Sequence, residues 1–147
     1  PKAYSYSQKA ISLENHPYAY TSLGTICMGH CTRLLHNNRM EAMKYFYEGE
    51  EALGTAWNLA ASNGKYYEHP FVKFFASAVQ VLRKLTPADL EFEAILEHFR
   101  IWILRAKDSP AFSTSLGQKR LRDMQAQEMK ERLRMQRSKQ ADPNKKS

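Results

Sequence analysis

Residues 16–35 read HPYAYTSLGTICMGHCTRLL, a His-Pro-aromatic triplet followed by apolar side chains at helical spacing. The apolar stripe of this helix consists of residues three or four positions apart, Leu23, Cys27, Cys31 and Leu34. A second triplet, His69-Pro70-Phe71, opens another helical pattern 53 residues later. Repetition of this kind predicts stacked helical units, an architecture that usually binds other macromolecules along an extended face and rarely catalyses reactions.

Apolar periodicity predicts helices over 3–13, 17–35, 39–61, 70–85, 87–106 and 116–139. Asn38 with Glu41 three residues later is typical of a helix N-terminus. Thr86-Pro87-Ala88-Asp89 combines a capping hydroxyl, a proline at the first helical position and an early acid, and it predicts a helix that starts at Pro87. No segment alternates with period two. The predicted class is therefore all-α.

Small and aromatic residues in two successive helices resemble the tetratricopeptide repeat. The first helix has Tyr20 followed by Leu23 and Gly24, and the second has the set Ala42, Phe46 and Gly49. The resemblance covers residues 3–62 well and 66–106 loosely. It implies antiparallel hairpins stacked as a short right-handed superhelix whose groove binds a protein or peptide. It also implies a likeness to the C-terminal sensor region of larger bacterial signalling ATPases, and we expect the chain, which starts at Pro1, to be part of a longer polypeptide.

Length and charge predict one folded domain and a basic extension. The chain has 147 residues, 43% of them hydrophobic, and a formal net charge of +7. Residues 116–147 carry ten basic and four acidic side chains, a net charge of +6, which leaves residues 1–115 nearly neutral. We expect a helical-repeat domain over 1–115, a basic helix over 116–140 and a disordered tail over 141–147.

The leading functional hypothesis is a non-enzymatic module that binds a protein or peptide. All eight tyrosines lie within the first 67 residues, more than a core requires, and tyrosine is favoured at recognition surfaces. The candidate binding residues are Tyr20, Tyr45, Tyr47, Glu48 and Glu51.

The alternative is a nucleic-acid-binding adaptor that acts through the basic C-terminal helix. Phosphate contacts require only positive charge at loose spacing. The candidate residues are Lys119, Arg120, Arg122, Lys130, Arg132, Arg134, Arg137 and Lys139. A solvated helix that binds nothing is the simpler interpretation of the same pattern. A membrane-surface role is disfavoured because the apolar face of this helix lacks Trp and Phe.

Metal binding and catalysis are disfavoured by the same sequence. Cys27, His30, Cys31 and His36 are close in sequence, but no second ligand cluster follows, and cysteines on an apolar stripe are more often core residues. No phosphate loop, nucleophile elbow or HExxH motif occurs. We therefore predict no cofactor, no metal and no enzymatic activity. Two isolated cysteines and the lack of a signal peptide predict a cytoplasmic location.

Overall fold

The computed structural model describes Tyr4, residues 16–62, Gly64 and residues 67–141. Within these residues the protein is all-helical and has no strand, which confirms the predicted class. The helices are α1 (Pro17–Leu34), α2 (Arg39–Ser62), α3 (His69–Lys84), α4 (Leu90–Lys107) and α5 (Ser115–Ala141), with a 3₁₀ turn at Pro110–Phe112. Most of the predicted first helix (3–13) and all but Ala141 of the predicted tail lie outside the described residues. Ala141 is the last residue of α5.

Two compact units make up the chain, Pro1–Ser77 and Ala78–Ser147, and their boundary falls inside α3. The predicted division at 115/116, where the composition becomes basic, stays a prediction. The basic helix is present as predicted, but it belongs to the second unit together with α4.

Glycine allows α1 and α2 to pack closely in the first unit. A Cβ atom placed on Gly24 would lie 2.6 Å from Leu53 Cγ and 3.0 Å from the carbonyl oxygen of Gly49. A Cβ atom on Gly49 would lie 3.0 Å from the carbonyl oxygen of Gly24. Each glycine therefore faces the backbone of the other helix at a distance that leaves no room for a side chain.

Three residues of the predicted apolar stripe, Leu23, Cys27 and Cys31, are buried, whereas Leu34 is half-buried and its neighbour Leu35 is buried instead. Cys27, Cys31, Ala42, Phe46 and Leu53 are fully buried, and both cysteines are free thiols. Burial raises the pKa of both thiols to about 12, with a smaller contribution from Glu48 for Cys27. These cysteines therefore act as small core side chains in the neutral form.

One helix start was predicted correctly and another wrongly. Asn38 Oδ1 accepts a hydrogen bond from the backbone N–H of Glu41 at 3.2 Å, as expected of an N-cap. The fourth helix, however, begins at Leu90 after Asp89, and not at Pro87. The carboxylate of Asp89 accepts a hydrogen bond from the N–H of Thr86 at 2.9 Å, which closes a turn over residues that the sequence pattern assigned to the helix.

In the second unit, α5 is anchored on α4 and on the 3₁₀ turn. Thr114 Oγ1 accepts from the N–H of Gly117 at 3.0 Å and so caps α5. A Cβ atom on Gly117 would lie 2.7 Å from Phe112 Cα, so the helix rests directly on the backbone of the turn. The inward face of α5 carries Leu121 and two buried acids, Glu128 and Glu131. The basic helix is thus a packed element with one solvent-facing side.

Candidate functional site

The first His-Pro-aromatic triplet builds the N-terminus of α1. His16 has extended backbone angles, and its Nδ1 accepts a hydrogen bond from the N–H of Tyr18 at 3.2 Å. Pro17 takes the first helical position, where an N–H would have no partner within the helix. The imidazole also stacks on Tyr18, with ring centres 5.0 Å apart. The triplet therefore serves as a cap and holds Tyr18, which is 65% exposed, in a fixed place.

Tyr67 ties the segment before α3 to this end of α1. The Thr21 hydroxyl donates to the carbonyl oxygen of Pro17 at 3.0 Å, so it can only accept from Tyr67, whose hydroxyl lies 3.0 Å away. Burial raises the pKa of Tyr67, against a smaller opposing effect of the Thr21 hydrogen bond. The phenol is therefore a neutral donor at physiological pH.

An aromatic row connects the two triplets. The ring of Tyr67 meets Tyr18 edge-on at 5.7 Å and stacks on His69 at 6.3 Å. With the His16–Tyr18 stack, four rings form a continuous series, His16, Tyr18, Tyr67 and His69. We call these four residues the aromatic row.

A groove of about 450 Å³ lies beside the aromatic row, between α1 and the start of α3. We call it the hydroxyl groove, because three hydroxyl side chains of α1 line it together with one apolar residue, two rings and one lysine: Thr21, Ser22, Thr25, Ile26, Tyr18, His69 and Lys73. No carboxylate is among these lining residues. The groove therefore offers hydrogen-bonding groups, aromatic surface and one fixed positive charge.

The two triplets differ in their structural roles. His16 precedes its helix and caps it, whereas His69 is already the first residue of α3. Tyr18 is exposed, whereas Phe71 is fully buried and meets the Trp57 ring at 5.7 Å. The two triplets therefore begin their helices in different ways. What the triplets share is their participation in one site.

The predicted protein-binding residues do not form a single surface. Tyr45 and Glu48 lie on the side of α2 that faces Tyr4. Tyr47 is only two positions from Tyr45, so it projects from a different side of the helix. Its ring lies 5.5 Å from that of Phe46 and it is 40% exposed. Glu51 is exposed, and Tyr20 is half-buried on α1.

Tyr4, His30, Tyr45 and Glu48 form a compact polar and aromatic cluster. The hydroxyl of Tyr4 donates to Glu48 Oε1, and this hydrogen bond, with burial, raises the pKa of Tyr4 far above its ordinary value. The imidazole of His30 lies 5.0 Å from the ring of Tyr45 and is 8% exposed. These contacts hold Tyr4 against the α1–α2 pair, which favours a packing role for Tyr45 and Glu48.

His30 predicts a pH dependence of stability. Its Nδ1 lies 2.8 Å from Arg33 Nη2, which can only donate, so the ring accepts there and is neutral. Burial, followed by the charge of Arg33, lowers the pKa of His30 below its ordinary 6.5. The unfolded state therefore takes up a proton first, and His30 makes the protein less stable as pH falls from 6.5 towards the folded-state pKa.

We expect His30→Asn to remove part of the acid destabilisation, because an amide oxygen can still accept from Arg33 but does not titrate. Urea unfolding at pH 7.5 and 5.5 measures the effect. The control is His36→Asn, since His36 is exposed beyond the end of α1 and should leave the pH dependence unchanged. Equal pH dependences of wild type and His30→Asn would contradict the prediction.

The eight basic residues predicted to bind nucleic acid differ in exposure and in ion pairing. Lys119, Arg122, Lys130 and Arg137 are exposed. Arg132 and Arg134 form ion pairs with Glu128 and Glu131, and Lys139 Nζ lies 3.5 Å from Glu93 Oε2. Arg120 is half-buried. The sequence alone did not distinguish outward cations from those engaged with α4 and with neighbouring acids.

Within the described residues, no group of three or more His, Cys, Asp or Glu side chains is arranged to hold a metal ion. No described helix has the length and apolarity needed to span a membrane.

The four residues of the aromatic row and the hydroxyls of α1 were not predicted as a site. Thr21, Ser22 and Thr25 could have been noticed as a hydroxyl-rich strip beside the apolar stripe.

Comparisons with family models, curated proteins and solved structures find nothing that matches this chain.

Proposed function

We propose that this chain is a non-enzymatic helical module that binds an acidic protein segment or peptide in the hydroxyl groove. The observation that carries this proposal is the groove itself. Its described lining residues combine an exposed tyrosine, side-chain hydroxyls and Lys73, and none of them carries a carboxylate. Exposed aromatic rings provide contact area, and a lysine with hydroxyl groups complements an acidic side chain.

A cytosolic, tetratricopeptide-like module is the setting that we propose for this binding. The close α1–α2 contact at Gly24 and Gly49 fits the small residues of the repeat resemblance. Two buried free thiols fit a reducing compartment. On this proposal the chain works as the recognition part of a larger protein.

Selection of peptides from a random library tests the groove. We expect wild type to enrich peptides with an acidic residue. The enriched peptides should bind Lys73→Glu at least tenfold more weakly, because the substitution reverses the only formal charge among the described residues that line the groove. Tyr18→Ala should also weaken binding, through the loss of aromatic contact. Fluorescence anisotropy with labelled peptides measures each affinity.

Matched substitutions elsewhere in the first unit control for general effects of charge and tyrosine loss. Lys44→Glu changes an exposed lysine of α2, and Tyr47→Ala removes a partly exposed tyrosine outside the groove. Both variants should keep the wild-type affinity. If the enriched peptides bound Lys73→Glu and Tyr18→Ala as tightly as wild type, the groove would not be the binding site.

Nucleic-acid binding through α5 is the second candidate, and its outward cations favour it. Lys119, Lys130 and Arg137 are separated by 11 and 7 residues, so they fall close to one line along the helix, and Arg122 lies beside that line. This arrangement presents four exposed cations on one side of α5.

The number of outward cations predicts the salt dependence of such binding. For single-stranded nucleic acid, four phosphate contacts give a slope of log K against log salt of about −3. Replacing all four by glutamine should abolish binding, whereas Arg134→Gln should change it little because Arg134 is engaged with Glu131. Titrations at several salt concentrations measure the slope. A slope close to −4 would show that Arg132 and Arg134 also contact phosphate, and a slope close to −6 would show that all eight basic residues do.

A further inference from the structure

A buried carboxylate oxygen in the second unit has no hydrogen-bond partner among the residues that the structure describes. Glu128 on α5 is 4% exposed. Its Oε1 accepts a hydrogen bond from Arg132, but its Oε2 is buried and unpaired. Buried polar atoms are nearly always paired, and an unpaired carboxylate oxygen is especially unfavourable in a folded protein. A donor in an adjoining cavity would pair with this oxygen once the Glu128 carboxylate turned towards it.

Glu128 lines two adjoining cavities between α4 and α5. The larger one, of about 310 Å³, we call the basic groove; its other lining residues include Arg100, Lys107, Leu104 and Met129. The smaller one, of about 160 Å³, we call the acidic groove; it includes Glu93, Glu97 and Met135. The residues Arg100, Glu128 and Arg132 line both grooves.

The charges on α4 change sign from one groove to the other. Glu93 and Glu97 come first along the helix, and Arg100 and Lys107 follow at spacings that keep all four on one side. Glu93 is partly engaged by Lys139, and both side chains are more than half exposed. Apolar surface lies beside the basic half, since Leu104 is 54% and Met129 is 47% exposed. The pair of grooves is therefore dipolar along its length, with apolar surface beside its basic half.

We propose that these two grooves bind an aliphatic chain with an ammonium group at one end and a carboxylate at the other. The ammonium group donates to Glu128 Oε2 and is attracted by Glu97. The methylene groups lie on Leu104 and Met129, and the carboxylate meets Lys107 and Arg100. A ligand with only one charged end would leave either the buried oxygen or the two cations unsatisfied.

Two sources offer this chemistry. One is a free amino acid with a terminal amine, such as lysine, and the other is a peptide that ends in lysine. Both present an ammonium group and a carboxylate separated by methylene groups. The site lies wholly in the second unit, so it is independent of the hydroxyl groove, and either proposal can fail without the other.

Nuclear magnetic resonance of the intact chain with methyl-labelled methionines tests the site, with ε-aminocaproate as the probe. Met129 and Met135 line the basic and the acidic groove respectively, and Met40 in the first unit is 75% exposed and serves as an internal control. We expect the Met129 and Met135 signals to shift saturably and with the same affinity, while Met40 stays in place. Caproate and hexylamine each lack one charged end and should bind at least tenfold more weakly.

Substitutions identify the groups that hold the two ends. Glu128→Gln keeps an acceptor for Arg132 but removes the negative charge, so it should weaken binding of ε-aminocaproate at least tenfold. Lys107→Gln, at an exposed position, should weaken it by a similar factor and does not depend on how Glu128→Gln folds. Lys130→Gln removes an exposed charge from the same helix and should leave the affinity unchanged.

Two further probes distinguish a free amino acid from a peptide C-terminus as the source of the ligand. Nα-acetyl-lysine reproduces the C-terminal lysine of a peptide, and its amide reproduces an internal lysine. Binding of the acid but not of the amide supports the proposal with a peptide terminus as the source, whereas binding of free lysine alone supports it with a small molecule. Absent shifts at Met129 and Met135, equal affinities for caproate and ε-aminocaproate, or unchanged affinity in both Glu128→Gln and Lys107→Gln would overturn it.

Discussion

Alanine in place of Gly24 is expected to lower the free energy of unfolding by about 2 kcal/mol. The added Cβ would meet Leu53 Cγ at 2.6 Å and the Gly49 carbonyl oxygen at 3.0 Å, and Leu53 is fully buried and cannot move aside. The overpacking exceeds the gain of about 1 kcal/mol that alanine brings over glycine within a helix. Urea unfolding followed by circular dichroism measures the difference.

Gly54 provides the matched control on α2. A Cβ atom there would meet no described atom within 4 Å apart from the adjacent backbone of α2, so Gly54→Ala should stabilise the protein by about 0.5–1 kcal/mol. The two glycine substitutions therefore differ in sign. If Gly24→Ala were as stable as Gly54→Ala, α1 and α2 would not be in close contact at Gly24.

Methionine in place of Arg134 is expected to cost about 3 kcal/mol of stability. Glu131 is 1% exposed, and its Oε2 accepts from Arg134. The only other hydrogen bond described for this carboxylate comes from Gln127 at 3.3 Å. Arg134 also lies over the Phe92 ring, 5.7 Å from its centre. Removal of the guanidinium thus leaves a buried charge without its cation.

A second substitution separates the buried charge from the lost packing. Glu131→Gln in the Arg134→Met background should recover most of the stability, because it removes the charge that Arg134 had neutralised. Arg137→Met, at an exposed position of the same helix, should change stability by less than about 0.5 kcal/mol. Thermal and urea unfolding provide both values. No recovery in the double variant would mean that Arg134 stabilises the unit through packing alone.

Apolar periodicity predicted the helices well because burial of one face determines where a helix can form. The described helices agree with the predicted ranges to within a few residues. The exception is the start of α4, where the Asp89 side chain forms a turn with Thr86. Capping preferences apply to one residue at a time. They do not predict the outcome when two polar residues compete for the same backbone group.

The candidate site was much less predictable, because it depends on contacts between distant residues. The tyrosines chosen from the sequence lie on different sides of α2, and Tyr45 and Glu48 surround Tyr4. Tyr67, from the segment before α3, completes the aromatic row through a hydrogen bond with Thr21, 46 residues away. Likewise, composition identified α5 as basic, but only packing shows that Arg132 and Arg134 are paired with buried acids.

The rate at which a reagent modifies the two buried thiols of α1 can measure local opening of the first unit. Cys27 and Cys31 have no exposed surface, and a pKa of about 12 keeps them protonated at neutral pH. A thiol reagent can therefore react only in molecules where the packing around these thiols has opened. The modification rate under native conditions, compared with that of the unfolded chain, gives the free energy of this opening without any denaturant. A ligand that holds α1 in place would slow the reaction in proportion to its occupancy, so binding could be detected before any partner is labelled.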